Sequence, residues 1–235
     1  GKENYNLTGY FNLPKVLEIT LHNGMDPRTG RRVGIQTGDP AGFSAFDELF
    51  AAFEKQMGYF IDVKVRGSNV IERLYAAYMP APFLSLLIDD CIARGMDYHD
   101  GGARYNTSYI QGVGIGTITD TLSAIRQHVY TEKTISLPDL VEILKSNYSG
   151  QEKLRQVLVN RTPKYGNDDE TADAIMVRIF DAYYHAVDGR KNTKGGEYHI
   201  NMLPTTVHVY FGSVTGATAD GRRAFTPLSE GISPV

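Results

Sequence analysis

The sequence has a single cysteine, Cys91, among 235 residues. That excludes an intrachain disulfide framework and any paired-cysteine redox or zinc site, and it fits a reducing cytoplasm. It has no run of roughly 18 apolar residues that could span a bilayer, and no basic stretch leading into an apolar one of the kind that directs secretion. It has no excess of positive charge either, since 24 Lys and Arg stand against 27 Asp and Glu, for a formal charge of −3 and a pI near 6.1. Nucleic acid and anionic membrane select clustered Lys and Arg, so neither is an expected partner, and a small molecule is the expected ligand. An initiating Met and a polar tail are also missing: the chain opens at Gly1-Lys2-Glu3 and stops at Gly231-Ile232-Ser233-Pro234-Val235. Both ends read as cut, and the expectation is an internal fragment.

What is present suits a folded α/β protein, with 42% hydrophobic residues available for a core. Leu13, Val16, Leu17, Thr20 and Leu21 share one face ahead of Gly24, predicting a short amphipathic helix over 13–23. From Phe43 to Leu74 apolar residues recur at three and four positions, predicting one long helix. Pro80 and Pro82 break that pattern before an apolar helix expected over 83–93, and two antiparallel helices are the simple arrangement. Tyr109–Gly116 is β-branched and glycine-rich, predicting a strand and a tight turn into a helix over 118–130 capped by Thr117 and Asp120. Further helices are predicted over 137–146, 151–160 and 169–187. His199–Leu203 and Thr206–Phe211 have strand composition, with Pro204 marking a break between them. No repeat or linker divides the chain.

Several features imitate active-site motifs. Gly112-Val113-Gly114-Ile115-Gly116 sits where a dinucleotide fingerprint would be but lacks the GxGxxG spacing, so its glycines are read as letting backbone pass close to another element. Cys91 lies beside Leu87 and Ile88 and is read as a buried structural thiol, not a nucleophile. Asp97, His99 and Asp100 are the one dense group of possible metal ligands, without the spacing of any known metal motif, and are read as a loop. His199 and His208 are assigned structural hydrogen bonds. Asp168, Asp169 and Glu170 stand at a helix start, where carboxylates complement the dipole.

Longer stretches carry more information. Gly101-Gly102-Ala103-Arg104-Tyr105-Asn106 followed by Gln111-Gly112-Val113-Gly114 resembles the GGA(K/R)YN…QGVG signature of the pyruvate formate-lyase-like glycyl radical enzymes. Lys164-Tyr165-Gly166-Asn167-Asp168-Asp169 resembles that family's KYGNDD stretch. Thr215-Gly216-Ala217-Thr218-Ala219-Asp220-Gly221-Arg222-Arg223 resembles its TGATPDGR loop, with Ala219 in place of proline. The resemblance implies an α/β fold, the second half of a helix-rich, ten-stranded α/β barrel in which a cysteine loop and a glycine loop meet. It implies that residues 1–235 form a partial barrel domain lacking both the catalytic cysteine loop and the C-terminal domain with the radical glycine. No catalytic residue is then expected in this chain. In that family a protein-derived glycyl radical passes to the cysteine, whose thiyl radical takes a hydrogen from the substrate, and water and oxygen must be excluded. No bound metal or nucleotide is implied. The implied partners are a radical S-adenosylmethionine activating enzyme and a second copy of the full-length protein.

The opening segment, Gly1 to Asn12, resembles the GKEAYxLTGYFN that follows the cysteine loop in trans-4-hydroxy-L-proline dehydratases, departing from it at Asn4 and Asn6. The resemblance implies a hydro-lyase that takes hydrogen from C5 and the hydroxyl from C4, giving a pyrroline carboxylate. It places Tyr10 against the pyrrolidine ring and Thr205, in Pro204-Thr205-Thr206, near the carboxylate or amine. The alternatives are a glycyl radical diol or glycerol dehydratase, a C–N or C–S lyase of the choline or isethionate type, and a non-catalytic half-barrel scaffold.

Overall fold

The computed structural model describes all 235 residues. In chain order the elements are β1 (Glu3–Asn12), α1 (Leu13–Leu21), β2 (Met25–Asp26), β3 (Arg31–Arg32), α2 (Phe46–Tyr78), α3 (Pro82–Ser85), α4 (Cys91–Arg94) and β4 (Tyr105–Val113). There follow α5 (Ile115–Ile125), α6 (Leu137–Lys145), α7 (Glu152–Arg161), α8 (Glu170–Val187), β5 (Tyr198–Asn201) and α9 (Val207–Ser213). The chain divides into two compact units. One gathers Gly1–Phe11, Phe60–Gln111 and Tyr183–Asn201, and the other Asn12–Tyr59, Gly112–Ala182 and Met202–Val235.

The first unit is built on a sheet of order β1-β4-β5, in which β4 and β5 run parallel with Ser108 opposite Tyr198 and Gln111 opposite Asn201. Parallel neighbours require a long crossover, which is why helix separates these two strands. One sheet face is covered by α2. There Glu72 accepts from Ser108 Oγ (2.5 Å), Asn6 Nδ2 (3.3 Å) and Thr193 Oγ1 (2.9 Å), and Lys194 Nζ lies 3.3 Å away. Burial pushes the Glu72 carboxyl up, but these donors and the lysine outweigh it and hold it below its ordinary value. Tyr183 is fully buried, stacks on Phe11 at 5.7 Å and donates to Ile110 O at 2.8 Å. The GGARYN stretch packs here as well. A side chain at Gly102 would overlap Met96 O, and Arg104 forks onto Asp90 at 2.9 and 3.1 Å.

The second unit is centred on α5, every residue of which is buried. Gly114, at φ 85°, turns β4 into α5, and a Cβ there would lie 2.9 Å from Pro14 Cδ, so the start of α1 packs against this turn. The expected cap of α5 is corrected by the structure. Gly114 has no side chain to cap with, so Thr117 N–H donates instead to Ser229 Oγ (2.9 Å) while Ser229 N–H donates to Thr117 Oγ1 (2.8 Å). The helix then ends at Ile125 and continues as a π-turn over Arg126–Thr131. The loop Thr215–Arg223 is held from inside by Arg222, which donates to Gly216 O, to Thr226 O (2.7 Å) and to Thr218 Oγ1 (3.1 Å).

The helices with a clear period, α1, α2, α6, α7 and α8, lie where the pattern places them, and Asp169 caps α8 through Thr171 N (2.9 Å). Two further expectations fail. Residues 83–93 form two short helices, α3 and α4, because Asp90 is left-handed at φ 80° and is pinned there by Arg104. Val207–Ser213 is helix α9, not strand. Its β-forming side chains are overridden by fixed partners: Asn12 Nδ2 and Thr215 Oγ1 both bond Phe211 O, and a Cβ at Gly212 would overlap Thr226 O.

The first unit leaves Phe83 85% and Leu87 71% exposed, together with Tyr78, Met79 and Ile92 in the same stretch. Apolar side chains so gathered favour association. The isolated chain should therefore self-associate in sedimentation velocity, and the double substitution Phe83→Glu, Leu87→Glu should shift it toward monomer. A monodisperse monomer before and after substitution would contradict this.

Candidate functional site

Strand β1 carries Tyr10 and a change of phase just before it. Up to Thr8 the even positions face the covered side, with Asn4 buried and Asn6 bonded to Glu72, while Tyr5 and Leu7 are exposed. Beyond Gly9 the parity inverts, because Phe11 is buried and Tyr10 is 40% exposed. Strict alternation would bury Tyr10. Gly9 makes the shift at φ 133°, where a Cβ would lie 2.7 Å from Lys64 Nζ. Lys64 donates to Thr8 O at 2.6 Å, and burial lowers its pKa from the usual amine value. Thr8 Oγ1 donates across to Tyr109 O at 3.0 Å. Gly9, Thr8 and Lys64 thus put Tyr10 on the face not covered by α2.

That open face is aromatic and polar. Tyr5 stacks on Tyr109 at 4.3 Å, Tyr109 lies 5.9 Å from the His199 ring, and Asn201 Nδ2 donates to Tyr5 Oη at 2.5 Å. His199 Nδ1 meets Asp188 at 2.6 Å. Tyr5, Tyr109, His199 and Asn201 were not singled out as site residues by the sequence reading, which gave His199 only a structural bond. The parallel register that brings Tyr109 beside His199 is a long-range pairing.

Thr205 belongs to the second unit and lies between β5 and α9 in a segment without regular structure. Its carbonyl accepts from His208 Nδ1 at 2.6 Å, which fixes the proton on that nitrogen. Its hydroxyl is buried and has no hydrogen-bond partner. A buried hydroxyl left unpaired costs about 1–3 kcal/mol, so such a group is an attachment point for a ligand. The structure describes Tyr10 and Thr205 each in its own unit.

Other candidates fall away on their geometry. Asp97 spends its carboxylate on backbone and hydroxyl donors, accepting from His99 N, Ala81 N and Ser85 Oγ at 2.8 Å each. No group of three His, Cys, Asp or Glu is placed to hold a metal ion. Cys91 is buried, and burial raises its pKa, which disfavours the thiolate. The glycines of Gly112–Gly116 serve close approach, since a Cβ at Gly116 would meet Ser233 O at 2.6 Å. A cavity of about 620 Å³ among Leu17, Leu21, Ile118, Val141 and Leu144 holds neither Tyr10 nor Thr205. No helix is long and apolar enough to cross a membrane.

Residues 1–212 match the family described as pyruvate formate lyase-like. The chain belongs to that family. Over its whole length it is 54% identical to a trans-4-hydroxy-L-proline dehydratase of Clostridioides difficile, of which it spans 30%. The crystal structure of hydroxyproline dehydratase from that organism, with trans-4-hydroxy-L-proline bound, superposes on 99% of this chain at a TM-score of 0.97, again covering 30% of the other protein. The glycerol-bound B12-independent glycerol dehydratase of Clostridium butyricum is 35% identical, with a TM-score of 0.94 over the whole chain and 30% of its own. The chain therefore spans about 30% of the length of the relatives it matches. The α/β partial-barrel reading of the fold holds, and the pyruvate formate lyase-like motifs prove to be packing devices in both units.

Gly9→Ala tests the phase change that presents Tyr10. A methyl group at φ 133°, pressed on Lys64, should destabilise the protein by roughly 1–3 kcal/mol. Urea unfolding of the full-length parent measures it, and a loss below about 0.5 kcal/mol, the range of ordinary surface changes, would show that Gly9 is not required there.

Proposed function

We propose that the parent of this chain is a glycyl radical hydro-lyase that removes water from trans-4-hydroxy-L-proline to give a pyrroline carboxylate. The observation that carries the reading is its likeness to the hydroxyproline dehydratase, which exceeds that to the glycerol enzyme by a wide margin over the same residues. Residues 1–235 act in it as a partial barrel domain, and the reactive cysteine and the radical glycine are carried elsewhere in the parent. The radical, passed to the cysteine, would supply a thiyl that takes hydrogen from C5 and returns it at C4 once the C4 hydroxyl has left as water with a proton, which overall comes from the ring nitrogen. A radical S-adenosylmethionine enzyme activates the parent, which works as a cytoplasmic homodimer.

This chain's own residues bind and orient. Tyr10 offers an exposed ring to pack on the pyrrolidine and a hydroxyl to bond it. Thr205 offers a hydroxyl that is buried and unpaired, suited to the substrate carboxylate or amine. No metal or nucleotide enters the scheme.

The test is made on the full-length parent, activated anaerobically and assayed with trans-4-hydroxy-L-proline, glycerol, propane-1,2-diol and choline. Hydroxyproline should be the preferred substrate, and faster turnover of choline or a diol would reject the assignment. Tyr10→Phe should lower kcat/KM about fivefold, the worth of one hydrogen bond. Tyr10→Ala should lower it about a hundredfold, because the ring contact is lost as well. Electron paramagnetic resonance should find the radical at wild-type level in both variants. Undiminished turnover by Tyr10→Ala with a normal radical signal would remove Tyr10 from the site.

The 235-residue chain by itself should turn over none of these substrates, even with the activating enzyme present. Turnover that Cys91→Ala abolishes would overturn the assignment of the chemistry to other parts of the parent.

A further inference from the structure

The KYGNDD stretch and the Thr215–Arg223 loop contain neither Tyr10 nor Thr205, yet in the second unit their contacts converge on the segment that carries Thr205. The path starts at Asp120 on α5, which is 1% exposed. Asp120 Oδ1 accepts the backbone N–H of Tyr165 at 2.8 Å, and Lys164 Nζ lies 3.6 Å from Oδ2 while donating to Asp220 O at 3.2 Å. Burial and the neighbouring Asp220 push the Asp120 carboxyl up to about 6, against the pull of Tyr165 and Lys164. Three stretches distant in sequence are thereby joined at one carboxylate.

Tyr165 passes the link on. Its hydroxyl donates to Ile232 O at 3.1 Å. Its neighbour Gly166, at φ 86°, admits Pro234 so closely that a Cβ would overlap Pro234 Cγ. With Ser229 bonded to Thr117, residues 229–234 are pinned at Ser229, Ile232 and Pro234. Gly231 lies between those pins at φ 49° and presses on the Thr205 segment, where a Cβ would meet Met202 O, Leu203 C and Pro204 N, each at 2.7 Å. Met202–Thr205 belongs to no helix or strand, and this contact and the His208 bond to Thr205 O act directly on its backbone.

We propose that Tyr165, held by Asp120, is a positioning residue for the substrate-binding Thr205 hydroxyl, acting through the Gly231–Pro234 segment. The inference rests on the assignment of Thr205 to the substrate site. It gives the KYGNDD motif a task that its distance in sequence from Thr205 conceals. A hydroxyl misplaced by an ångström loses most of its hydrogen bond, so small movements of this buttress reach the substrate.

The test is a double-mutant cycle in the full-length parent with radical content quantified by electron paramagnetic resonance. The preferred substrate among hydroxyproline, glycerol and propane-1,2-diol is established first, and the cycle is run on it. Failure of the hydroxyproline reading is thereby separated from failure of this one. Thr205→Val should raise KM about tenfold, as expected for a hydrogen bond to a charged group. Tyr165→Phe should raise KM about threefold with Thr205 present and leave it unchanged, within about 1.5-fold, in the Thr205→Val background, the non-additivity of coupled residues. Asp120→Asn keeps the acceptor for Tyr165 N–H and should match wild type, whereas Asp120→Ala should match Tyr165→Phe. Crystal structures of the parent supply a readout independent of turnover, in which Met202–Thr205 moves in Tyr165→Phe while α5 stays in place. Equal KM effects in both backgrounds, an unchanged KM in Thr205→Val, or an unmoved segment would each overturn the proposal. A purely structural Tyr165 would lower folded yield and radical content together and leave KM alone.

Discussion

The pair of hydrogen bonds between Thr117 and Ser229 is the contact on which the second unit depends. Helix α5 is buried along its whole length, so the orphan N–H groups of its first turn cannot be satisfied by water. The residue at its cap is Gly114, chosen by the left-handed turn and by the close approach of Pro14, and it has no side chain to offer. The donor must therefore be met from elsewhere, and Ser229 meets it while its own N–H is taken by Thr117. That bond fixes where residues 229–234 run, and with them the backbone that presses on Met202–Pro204. Glycine at Gly114, Gly116, Gly166 and Gly231 answers one need throughout, since each lies where another chain segment leaves no room for a Cβ.

In the first unit the organising element is a buried charge. Glu72 and Lys194 lie 3.3 Å apart beneath the sheet, and the remaining lone pairs of Glu72 are taken up by Ser108, Thr193 and Asn6. A pair of this kind contributes little net stability unless every polar atom is satisfied, and here the surrounding hydroxyls and amides do that. Its effect is to specify register: Glu72 on α2 is met by one partner from β1, one from β4 and two from the turn before β5. With one sheet face committed to α2, the other is left to aromatic and polar side chains, Tyr5, Tyr109, His199 and Asn201 among them.

The two substrate-binding candidates each hold a group that the fold leaves available to a ligand. The Thr205 hydroxyl is buried without a partner, as are those of Thr37, Ser68, Thr119 and Thr121, and Tyr10 presents an exposed ring. Groups left unsatisfied by a fold that satisfies so many others are where a ligand gains most by binding. The structural motifs are rich in glycine and internally bonded, and they hold backbone in place.

The amino-acid sequence by itself determined the helices with a strong apolar period, α1, α2 and α6 to α8, because burial of one face along a single element is a local property that spacing records. A single cysteine rules out an intrachain disulfide, and the GGARYN, QGVG, KYGNDD and TGATADGRR stretches identified the family before any fold was seen. Only the tertiary structure decided the rest. Val207–Phe211 reads as strand and folds as α9 because Asn12, Thr215 and Thr226 impose the helix from outside its own sequence. The Ser229 hydroxyl that satisfies Thr117 N–H lies 112 residues along the chain from it, the inversion of β1 at Gly9 depends on Lys64, and the break at Asp90 depends on Arg104. Each is a pairing between residues far apart along the chain, and periodicity measures only what a residue shares with its neighbours within a turn or two. Which hydroxyls a fold leaves without a partner is the sum of all such pairings, so Thr205 could be named by resemblance but recognised as one of the unpaired hydroxyls only once the chain was folded.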